Sequence, residues 1–440
     1  MSGLERRQTP KTRPMPQKRT ALVASLDIGT SKVACMIARL KPCPPSDALR
    51  GRSHAVELIG YSQIQSRGVK AGAVVDLAEC EQAVRQAVAL AERIAKVRVE
   101  SVLLSVAGGR LQGCLIEAAA DIKGGAVTAS DVTRVTSTGM RHATGDGRTV
   151  LHALPVGYAL DGVKGIRDPR GMVARQFGVD MNVVTSDATV ARNLMLVVER
   201  CHLNVEAMAS SPYVAGLSVL TDDEADIGAA VIEMGAGTTT MAIYSGGRFV
   251  HASGFALGGQ HITMDLARGL GACIADAERI KTLYGTVLTG GSDARQLMSV
   301  PSAGDDRDAP QVVSRATIAN IVRHRAEEIF EMVRDRLADS PFAAEPRARV
   351  VLSGGASQLT GIPDLASRIL SRPVRIGRPL GFGRLPNEAK SASFAVPSGL
   401  LVYPQYAHLE HVEPRHTRQL LRTGTDGYFG KVGRWLREGF

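Results

Sequence analysis

The chain has 440 residues, of which 44% are hydrophobic and 22% charged, so its composition is that of a folded globular protein and excludes wholesale disorder. Its formal net charge is +10, but residues 1–20 carry +5 and residues 411–440 carry +3, which leaves only +2 for the 390 residues between them. A basic surplus confined to the termini argues against a nucleic-acid-binding body and predicts tails that meet an anionic partner, either nucleic acid or a membrane surface.

The length predicts two to four structural units. No run of apolar residues reaches the about 18 that a membrane-spanning helix needs. The basic N-terminus lacks an apolar signal core, which predicts a protein that is not secreted. The six cysteines form no CxxC pair and indicate reduced thiols in a cytosolic protein. His408 and His411 lie in a polar stretch and are predicted to be solvated loop residues rather than metal ligands.

Taken in chain order, residues 1–20 are predicted to be a disordered basic leader, and ordered structure to begin in 20–38, where apolar runs flank a glycine turn. A proline-rich loop follows at 41–54. Apolar residues at helical spacing predict a helix over 79–96, and a strand is expected over 99–107. The next section combines short strands at 150–160 and 182–185 with a helix after Thr128, and a further helix is predicted over 186–200.

In the second half, glycines interrupt a β pattern at 227–250, which favours a hairpin. Helices are predicted over 275–284 and 316–337, separated by a loop at 290–313 rich in Gly, Ser, Asp and Pro. A strand at 349–352 runs into two glycines and a short helix. After Tyr403 the chain is expected to be a polar linker up to residue 427. Strands that alternate with helices indicate an α/β fold class.

Three glycine-bearing segments each lie where a predicted strand ends: residues 26–32, 233–240 and 353–357. Small residues let backbone N–H groups approach phosphate oxygens, hydroxyl groups add donors, and Lys32 supplies a positive charge. Asp27 is a candidate to hold Mg²⁺ through water. Each segment alone is weak evidence for a nucleotide site, since such turns usually have only a structural role. The three segments in this order are much more specific evidence. The sequence has no GxxxxGK[ST] and is therefore not a P-loop protein.

The segments DIGTSKV, EMGAGTTTMAIYSGG and LSGGASQLTGI, in this order, resemble those of the actin, heat-shock chaperone and sugar kinase superfamily, and within it the FtsA family of actin-like bacterial cell-division proteins. The resemblance covers about residues 21–405 and the last dozen. It implies an actin-like two-lobed ATPase fold with an inserted small α/β subdomain. The expected units are 21–99 (first lobe), 100–185 (inserted domain), 186–260 (second-lobe core, with a helix of the first lobe at its start), 261–338 (small subdomain), 339–403 (return to both lobes), 404–427 (linker) and 428–440 (C-terminal amphipathic helix).

The resemblance also implies a nucleotide site for ATP and Mg²⁺. Glu278 and Lys281, one helical turn apart, match the family's pair near the purine and ribose, although from the residues alone an exposed salt bridge is the simpler interpretation. The other implied nucleotide contacts are Asp27, Gly29, Thr30, Ser31 and Lys32 in the first segment, Gly235, Gly237, Thr238 and Thr239 in the second, and Gly354, Gly355 and Ala356 in the third.

The second segment departs from the superfamily's usual pattern, because Glu233 replaces an aspartate and Ala236 replaces the middle glycine. The extra methylene moves a carboxylate by roughly 1.5 Å, and a Cβ limits the approach of the backbone. Binding tolerates such changes better than hydrolysis does, because hydrolysis needs accurate placement of metal and water. We therefore expect ATP binding with weak or absent turnover and no catalytic residue.

Residues 428–440 form an amphipathic pattern when placed on a helix, with Trp435 in its apolar face and basic residues opposite. Such a helix is typical of one that lies in a membrane interface. A C-terminal helix docked on its own domain is the alternative, but a polar linker and three glycines favour folding on anionic lipid. The expected membrane contacts are Phe429, Lys431, Val432, Arg434, Trp435, Leu436, Arg437 and Phe440.

By resemblance, the chain polymerises with itself and tethers filaments of FtsZ, the tubulin-like division protein, to the cytoplasmic face of the inner membrane at the septum. The FtsZ C-terminal peptide would dock on the small subdomain, where Arg325 matches a family position and Arg315 and Arg323 are electrostatic candidates. The inserted domain would recruit later division proteins, and no nucleic-acid partner is expected. A sugar kinase, a pilus-assembly adaptor and a chaperone ATPase are the alternatives. For a sugar kinase, no catalytic Asp can be identified. A pilus-assembly adaptor would lack the Trp-containing tail, and for a chaperone ATPase no β-rich substrate domain follows residue 405.

Overall fold

The computed structural model describes residues 7–12, 15, 18–44, 49, 51–122, 124–143, 145–288, 295–301, 311–344, 348–411 and 419–420. The strands are β1 (Arg7–Gln8), β2 (Ala21–Ile28), β3 (Lys32–Pro42), β4 (His54–Gln65), β5 (Val69–Lys70), β6 (Ala73–Val74), β7 (Ser101–Val106), β8 (Gln112–Asp121), β9 (Arg148–Leu160), β10 (Val163–Ile166), β11 (Gln176–Asp187), β12 (Asn204–Ser210), β13 (Ala229–Met234), β14 (Thr239–Ser245), β15 (Arg248–Phe255), β16 (Leu297–Val300), β17 (Gln311–Ser314), β18 (Arg349–Ser353), β19 (Val374–Ile376), β20 (Phe382–Gly383) and β21 (Gln419–Leu420). The helices are α1 (Leu77–Ala95), α2 (Ala129–Ala143), α3 (Ala188–Arg200), α4 (Ser211–Val219), α5 (Asp222–Ile227), α6 (Gly259–Gly269), α7 (Ile274–Tyr284), α8 (Arg315–Ala338), α9 (Ile362–Leu370) and α10 (Ala395–Val402).

The first lobe is built on a sheet of order β12-β7-β2-β3-β4-β20. The strands β2, β3 and β4 form an antiparallel meander, whereas β7 runs parallel to both β2 and β12. Helix α1 packs against β3 and β4, and α10 packs against α4 and β2. Most of the apolar stripe predicted for α1 is buried, although Ile94 is 48% exposed. Asp76 caps the helix by accepting a hydrogen bond from the Glu79 amide at 3.0 Å.

The second sheet runs from the second lobe into the inserted domain, in the order β19-β18-β13-β14-β15-β8-β11-β9-β1-β21. A single residue pair, Ser253 with Gln112, joins β15 to β8 at the boundary. The second lobe packs its strands against α6, α8 and α9, and the inserted domain packs α2 against β8 and β11 around a small core of its own. One sheet therefore connects the inserted domain to the second lobe, while the chain enters and leaves it through the first.

Two predicted boundaries are wrong. The inserted domain does not begin at residue 100, because β7 pairs with β2 and β12 and thus belongs to the first lobe. The segment 290–313 is not entirely loop, since β16 lies within it and forms an antiparallel ladder with β17 at its C-terminal end. The first difference arises from strand pairing over a long sequence separation, and the second from a short ladder within a polar segment, neither of which local composition shows.

The leader and the linker also differ from the prediction. Within the leader, Thr9 is 1% exposed and the Lys11 side chain 4% exposed, and Lys11 forms an ion pair of 2.5 Å with Glu410, whose side chain is 1% exposed. Residues 404–411, expected to be linker, continue the packing of the first lobe through short 3₁₀ turns. A basic, polar composition indicates solvent exposure only while the charges have no partners inside the fold.

His411 is half-buried rather than solvated. Its ring nitrogens lie 3.0 Å from the Thr136 hydroxyl and 3.1 Å from the Ser137 hydroxyl, and its backbone N–H donates to the Ala153 carbonyl. Burial lowers the pKa of His411 from 6.5 to about 4, so the folded protein holds the ring neutral.

This shift predicts a pH dependence of stability. Because the folded-state pKa is depressed, the contribution of His411 is complete above pH 6.5 and is lost as the pH falls from 6.5 towards about 4. The difference in thermal denaturation midpoint between the wild type and His411→Gln should therefore shrink between pH 7 and pH 4. The control is His324→Gln, whose side chain is 82% exposed. A wild-type-to-H411Q difference that stays constant over this range contradicts the prediction.

The predicted membrane-binding segment, 428–440, lies outside the described residues. In the part of the chain that the structure describes, no helix is both long and apolar enough to cross a bilayer.

Candidate functional site

Two of the glycine segments form matching hairpin turns, one in each lobe. The first joins β2 to β3, and the Gly29 amide donates to the Lys32 carbonyl at 2.9 Å. The second joins β13 to β14, and the Gly235 amide donates to the Thr238 carbonyl, also at 2.9 Å. The carboxylates of Asp27 and Glu233 each stand two residues before the glycine. The two lobes thus present equivalent turns of equal length.

The tips of these turns meet. A Cβ added at Gly237 would lie 2.4 Å from the Thr30 hydroxyl oxygen and 3.0 Å from the Ala71 amide nitrogen. The same Thr30 hydroxyl accepts a 3.2 Å hydrogen bond from the Gly72 amide. Only a residue without a side chain allows this approach, so Gly237 is required for contact between the lobes.

Sequence reasoning missed the hairpin β5–β6, which covers the first turn. Its central residues Ala71 and Gly72 both have positive φ, at 48° and 73°, as a tight two-residue hairpin requires. Gly72 also packs closely on Gly108, because a Cβ added at Gly72 would lie 2.7 Å from the Gly108 amide nitrogen. The sequence feature that could have indicated this hairpin is the pair Ala71-Gly72, which lies between two short apolar stretches.

The third glycine segment closes the site from the second lobe. Gly354, with φ of +84°, lies so close to β13 that an added Cβ would stand 2.4 Å from the Met234 carbonyl oxygen. Ala356 contacts Gly259 at the start of α6, where an added Cβ would be 2.9 Å from the Ala356 Cβ. Gly355 faces open space, with nothing within 4 Å of an added Cβ. All three predicted segments are therefore neighbours, although they are far apart in the sequence.

The two turn tips carry the donors that a phosphate group needs. Among the described residues, the backbone amides of Thr30, Ser31, Ala236 and Gly237 have no hydrogen-bond acceptor. Successive amides of a turn that share no internal acceptor form an anion-binding concavity. The residues therefore fit a nucleotide whose phosphates lie between the two hairpins. Thr239, however, is fully buried and donates its hydroxyl to the Leu257 carbonyl at 2.8 Å, so its side chain faces the protein.

Asp27, Lys32 and Glu233 form a coupled group behind the turns. Asp27 accepts a 2.5 Å hydrogen bond from Ser105, and Glu233 accepts one from Thr240 at 3.3 Å. Burial raises the pKa of both carboxyl groups, that of Glu233 to about 8 with a further contribution from the charge of Asp27. Burial lowers the pKa of the Lys32 ammonium, and the two carboxylates oppose that shift.

The same arrangement gives the lysine a specific position. The Lys32 Nζ donates to the Ser393 carbonyl and lies 4.4 Å from the centroid of the Phe394 ring. Both residues belong to the segment that returns from the second lobe to the first, just before α10. Lys32 therefore links the first turn to this returning segment at the junction of the lobes.

Glu278 and Lys281 lie beside the site and also pair with each other. Lys281 Nζ is 2.7 Å from a Glu278 carboxylate oxygen, 2.8 Å from the Thr263 hydroxyl and 3.1 Å from the Gly259 carbonyl. The Glu278 side chain is 52% exposed, whereas Lys281 is 13% exposed. The geometry is compatible with a structural salt bridge, because the pair is formed. It is also compatible with a nucleotide contact, because the pair lies against α6, the helix that contacts Ala356.

Within the described ranges, no three His, Cys, Asp or Glu side chains are grouped so that they could hold a metal ion, and Mg²⁺ near Asp27 stays a prediction. The basic residues proposed for the small subdomain lie on α8. Arg325 forms ion pairs with Asp265 at 2.6 Å and with Glu328, and Arg323 pairs with Glu327 at 2.7 Å. Arg315 donates to Gln296 at 3.1 Å. A peptide carboxylate at Arg325 or Arg323 would compete with these acids.

Solved structures share the architecture. The chain aligns with the PilM–PilN type IV pilus biogenesis complex at a TM-score of 0.61 and 15% identity, covering 87% of this chain and 98% of the other. It aligns with MreB5 of Spiroplasma citri bound to ADP at a TM-score of 0.51 and 15% identity, covering 88% and 97%. At these identities the likeness shows the fold alone, and it confirms the predicted actin-like α/β architecture.

Sequence comparisons are more specific. A family model described as "Cell division protein FtsA" matches residues 230–399, and one described as "SHS2 domain inserted in FTSA" matches residues 108–185. The chain is 46% identical over 433 residues to the cell division protein FtsA of Agrobacterium fabrum strain C58, covering 98% of each protein. It is 30% identical over 427 residues to that of Escherichia coli K12, covering 95% of this chain and 98% of the relative. The chain therefore belongs to the FtsA family of cell-division proteins.

Proposed function

We propose that the chain binds ATP between its two lobes, polymerises, and tethers FtsZ filaments to the cytoplasmic face of the inner membrane. The observation that carries the proposal is the meeting of the two hairpin turns at Gly237 and Thr30, whose tips carry four amides that have no acceptor among the described residues. A nucleotide there would contact both lobes at once, so binding would favour one relative position of the lobes. That is the property a nucleotide-dependent polymer requires.

Nucleotide recognition follows from the residues around the turns. The Thr30, Ser31, Ala236 and Gly237 amides would hold phosphate oxygens, and the open face at Gly355 would receive the adenosine. When bound, the nucleotide supplies negative charge that Lys32 and a magnesium ion near Asp27 would balance. Glu233 and Ala236 in place of the usual aspartate and glycine favour binding over hydrolysis, so turnover would be weak or absent.

Membrane attachment would come from residues 428–440 outside the described region. The large apolar side chains there would each contribute roughly 1.5–3 kcal/mol if fully buried, and each basic residue about 1 kcal/mol near anionic lipid. Ordering the segment costs on the order of 1–2 kcal/mol per residue. A single copy is therefore marginal, whereas polymerised copies bind cooperatively because each is held at high effective concentration. Contacts of the small subdomain with FtsZ, and of the inserted domain with later division proteins, complete the proposal.

The test is recruitment of purified FtsZ filaments to anionic phospholipid vesicles. We expect co-sedimentation of FtsZ with vesicles only when the chain and ATP are both present. Trp435→Glu should abolish recruitment because it places a charge in the apolar face, and the matched control Trp435→Phe should preserve it. The proposed anchor fails if W435E still brings FtsZ down with the vesicles, and the proposed nucleotide dependence fails if recruitment is the same without ATP.

A further inference from the structure

The N-terminal residues Gln8–Thr12 lie across the edges of two different sheets. Strand β9 would be the edge of the inserted domain's sheet if β1 and β21 were removed, and β12 is the edge strand of the first lobe's sheet. Open strand edges expose unpaired backbone groups that readily accept another extended segment. The leader covers both edges at the place where the inserted domain joins the first lobe.

The contacts with β9 are those of an added strand. Gln8 stands opposite Val150 in a parallel pair, and the Thr9 amide donates to the Val150 carbonyl at 3.1 Å. The Lys11 ammonium adds a side-chain contact by donating to the Leu151 carbonyl. Backbone groups of β9 that would otherwise need water are thereby satisfied by the leader.

The contacts with β12 come from the following residues. The Pro10 carbonyl accepts a 3.2 Å hydrogen bond from the Met208 amide, and the Thr12 hydroxyl donates to a Glu206 carboxylate oxygen at 2.6 Å. Proline has no backbone N–H, so no donor is left unpaired at this position. Five consecutive residues of the leader thus bond to both sheets.

The buried Glu410 carboxylate beneath the leader is complementary in charge to a lysine. Lys11 lies 2.5 Å from one Glu410 oxygen, and the other Glu410 oxygen lies 2.8 Å from His152 Nδ1. Because His152 Nε2 accepts a 2.8 Å hydrogen bond from the Ser210 amide, its Nδ1 carries the proton and donates to Glu410, so the ring is neutral. The buried pocket therefore holds one carboxylate and one ammonium group, which pair with each other and with His152 and the Leu151 carbonyl.

We propose that the junction of the inserted domain and the first lobe is a binding site for an extended, lysine-bearing peptide segment, and that this chain fills the site in cis with its own leader. The site is defined by the β9 edge at Val150 and Leu151, the β12 edge at Glu206 and Met208, and the carboxylate of Glu410. Eight residues, 13–20, connect Thr12 to β2. A tether of this length keeps the leader at a local concentration in the millimolar range, which favours it over a free segment. The proposal does not depend on the nucleotide site.

A second consequence concerns the C-terminal side of the fold. Gln8 Nε2 donates to the His411 carbonyl at 3.4 Å, and Arg7 and Gln8 pair with Gln419 and Leu420 of β21. The bound leader thereby holds the chain that leads to residues 428–440 against the inserted domain. Release of the leader would also release that connection.

The test uses the full-length chain with one substitution in the leader. In Lys11→Met, hydrogen exchange at the Met208 amide should accelerate at least tenfold, while the matched control Lys18→Met, an exposed lysine of the same leader, should exchange like the wild type. Thr12→Ala, which removes the contact with Glu206, provides a second variant if K11M does not fold. An unchanged Met208 amide in both K11M and T12A overturns the proposal, and protection of Met208 that rises with protein concentration overturns the cis assignment.

A labelled synthetic peptide of residues 5–19 then tests the site directly by fluorescence anisotropy. It should bind full-length K11M at least tenfold more tightly than the wild type, whose site is filled. It should not bind the double variant Lys11→Met/Glu410→Gln, and the same peptide carrying Lys11→Met should not bind K11M. Equal binding to wild type and K11M, or no binding to K11M, overturns the proposal.

Discussion

Replacing Gly237 with valine is expected to lower the affinity for ATP by about 10- to 100-fold. The added side chain would enter the space now held by the Thr30 hydroxyl, 2.4 Å from its first carbon atom, and would force the two hairpin turns apart. Overpacking of this kind costs about 1–3 kcal/mol, and about 1.4 kcal/mol corresponds to a tenfold change in a binding constant. Isothermal titration calorimetry with ATP measures the loss, and Gly237→Ala should show a smaller effect in the same direction.

Two further glycines provide controls for this experiment. Gly145 lies between α2 and β9 of the inserted domain, and no described atom lies within 4 Å of an added Cβ, so Gly145→Val should bind ATP like the wild type. Among the described residues Gly355 has equally open surroundings, and the proposed site has the adenosine beside it, so Gly355→Val should leave the denaturation midpoint unchanged and still weaken ATP binding. Wild-type affinity in both G237V and G355V would show that the nucleotide does not lie between these segments.

Replacing Glu410 with alanine is expected to destabilise the folded protein by about 3–5 kcal/mol, the cost of breaking a buried ion pair. The substitution leaves the Lys11 ammonium, 4% exposed, without its counter-ion and removes the acceptor of His152 Nδ1–H. Burial raises the pKa of Glu410, but the Lys11 charge and the hydrogen bonds from His152 and Lys11 together lower it from 4.5 to about 2. The wild-type contribution is therefore complete above pH 4.5 and is lost as the pH falls towards about 2. Urea denaturation at pH 7 measures the effect.

The matched control is Glu117→Ala, which removes an exposed ion pair with Lys164 whose side chains are 69% and 65% exposed. Exposed pairs of this kind contribute about 0–1 kcal/mol. The double variant Lys11→Met/Glu410→Gln should recover part of the stability lost in Glu410→Ala, because no buried charge then lacks a partner. If E410A and E117A lose the same stability, the buried pair does not hold the termini.

Local patterns in the sequence were sufficient for the long helices and for the strands that flank the glycine turns. The apolar periodicity of 79–96 and 316–337 predicted α1 and α8 to within about two residues, because both helices bury one continuous face. The order of the three glycine segments indicated the actin-like architecture, and the structure brings all three together. Such features depend on neighbouring residues or on a fixed motif, and therefore remain visible without a structure.

Pairings between distant segments could not be predicted in this way. The contact between Gly237 and Thr30 joins residues of two lobes, and the hairpin at Ala71–Gly72 gains its role only by lying against Thr30. Similarly, no local pattern distinguishes Lys11, which is buried, from Lys18, which is exposed. The carboxylate partner of Lys11, Glu410, is 399 residues away.

The terminal charge shows the same division. The sequence by itself determined that the basic surplus lies at the two ends, because charge is a property of composition, and that the body between them is nearly neutral. Only the tertiary structure decided the role of one of these charges. Lys11 is an internal cation that joins the leader to Glu410 and the inserted domain. The physical reason is that a buried charge is stable only beside a specific counter-charge, and the fold alone brings the two together.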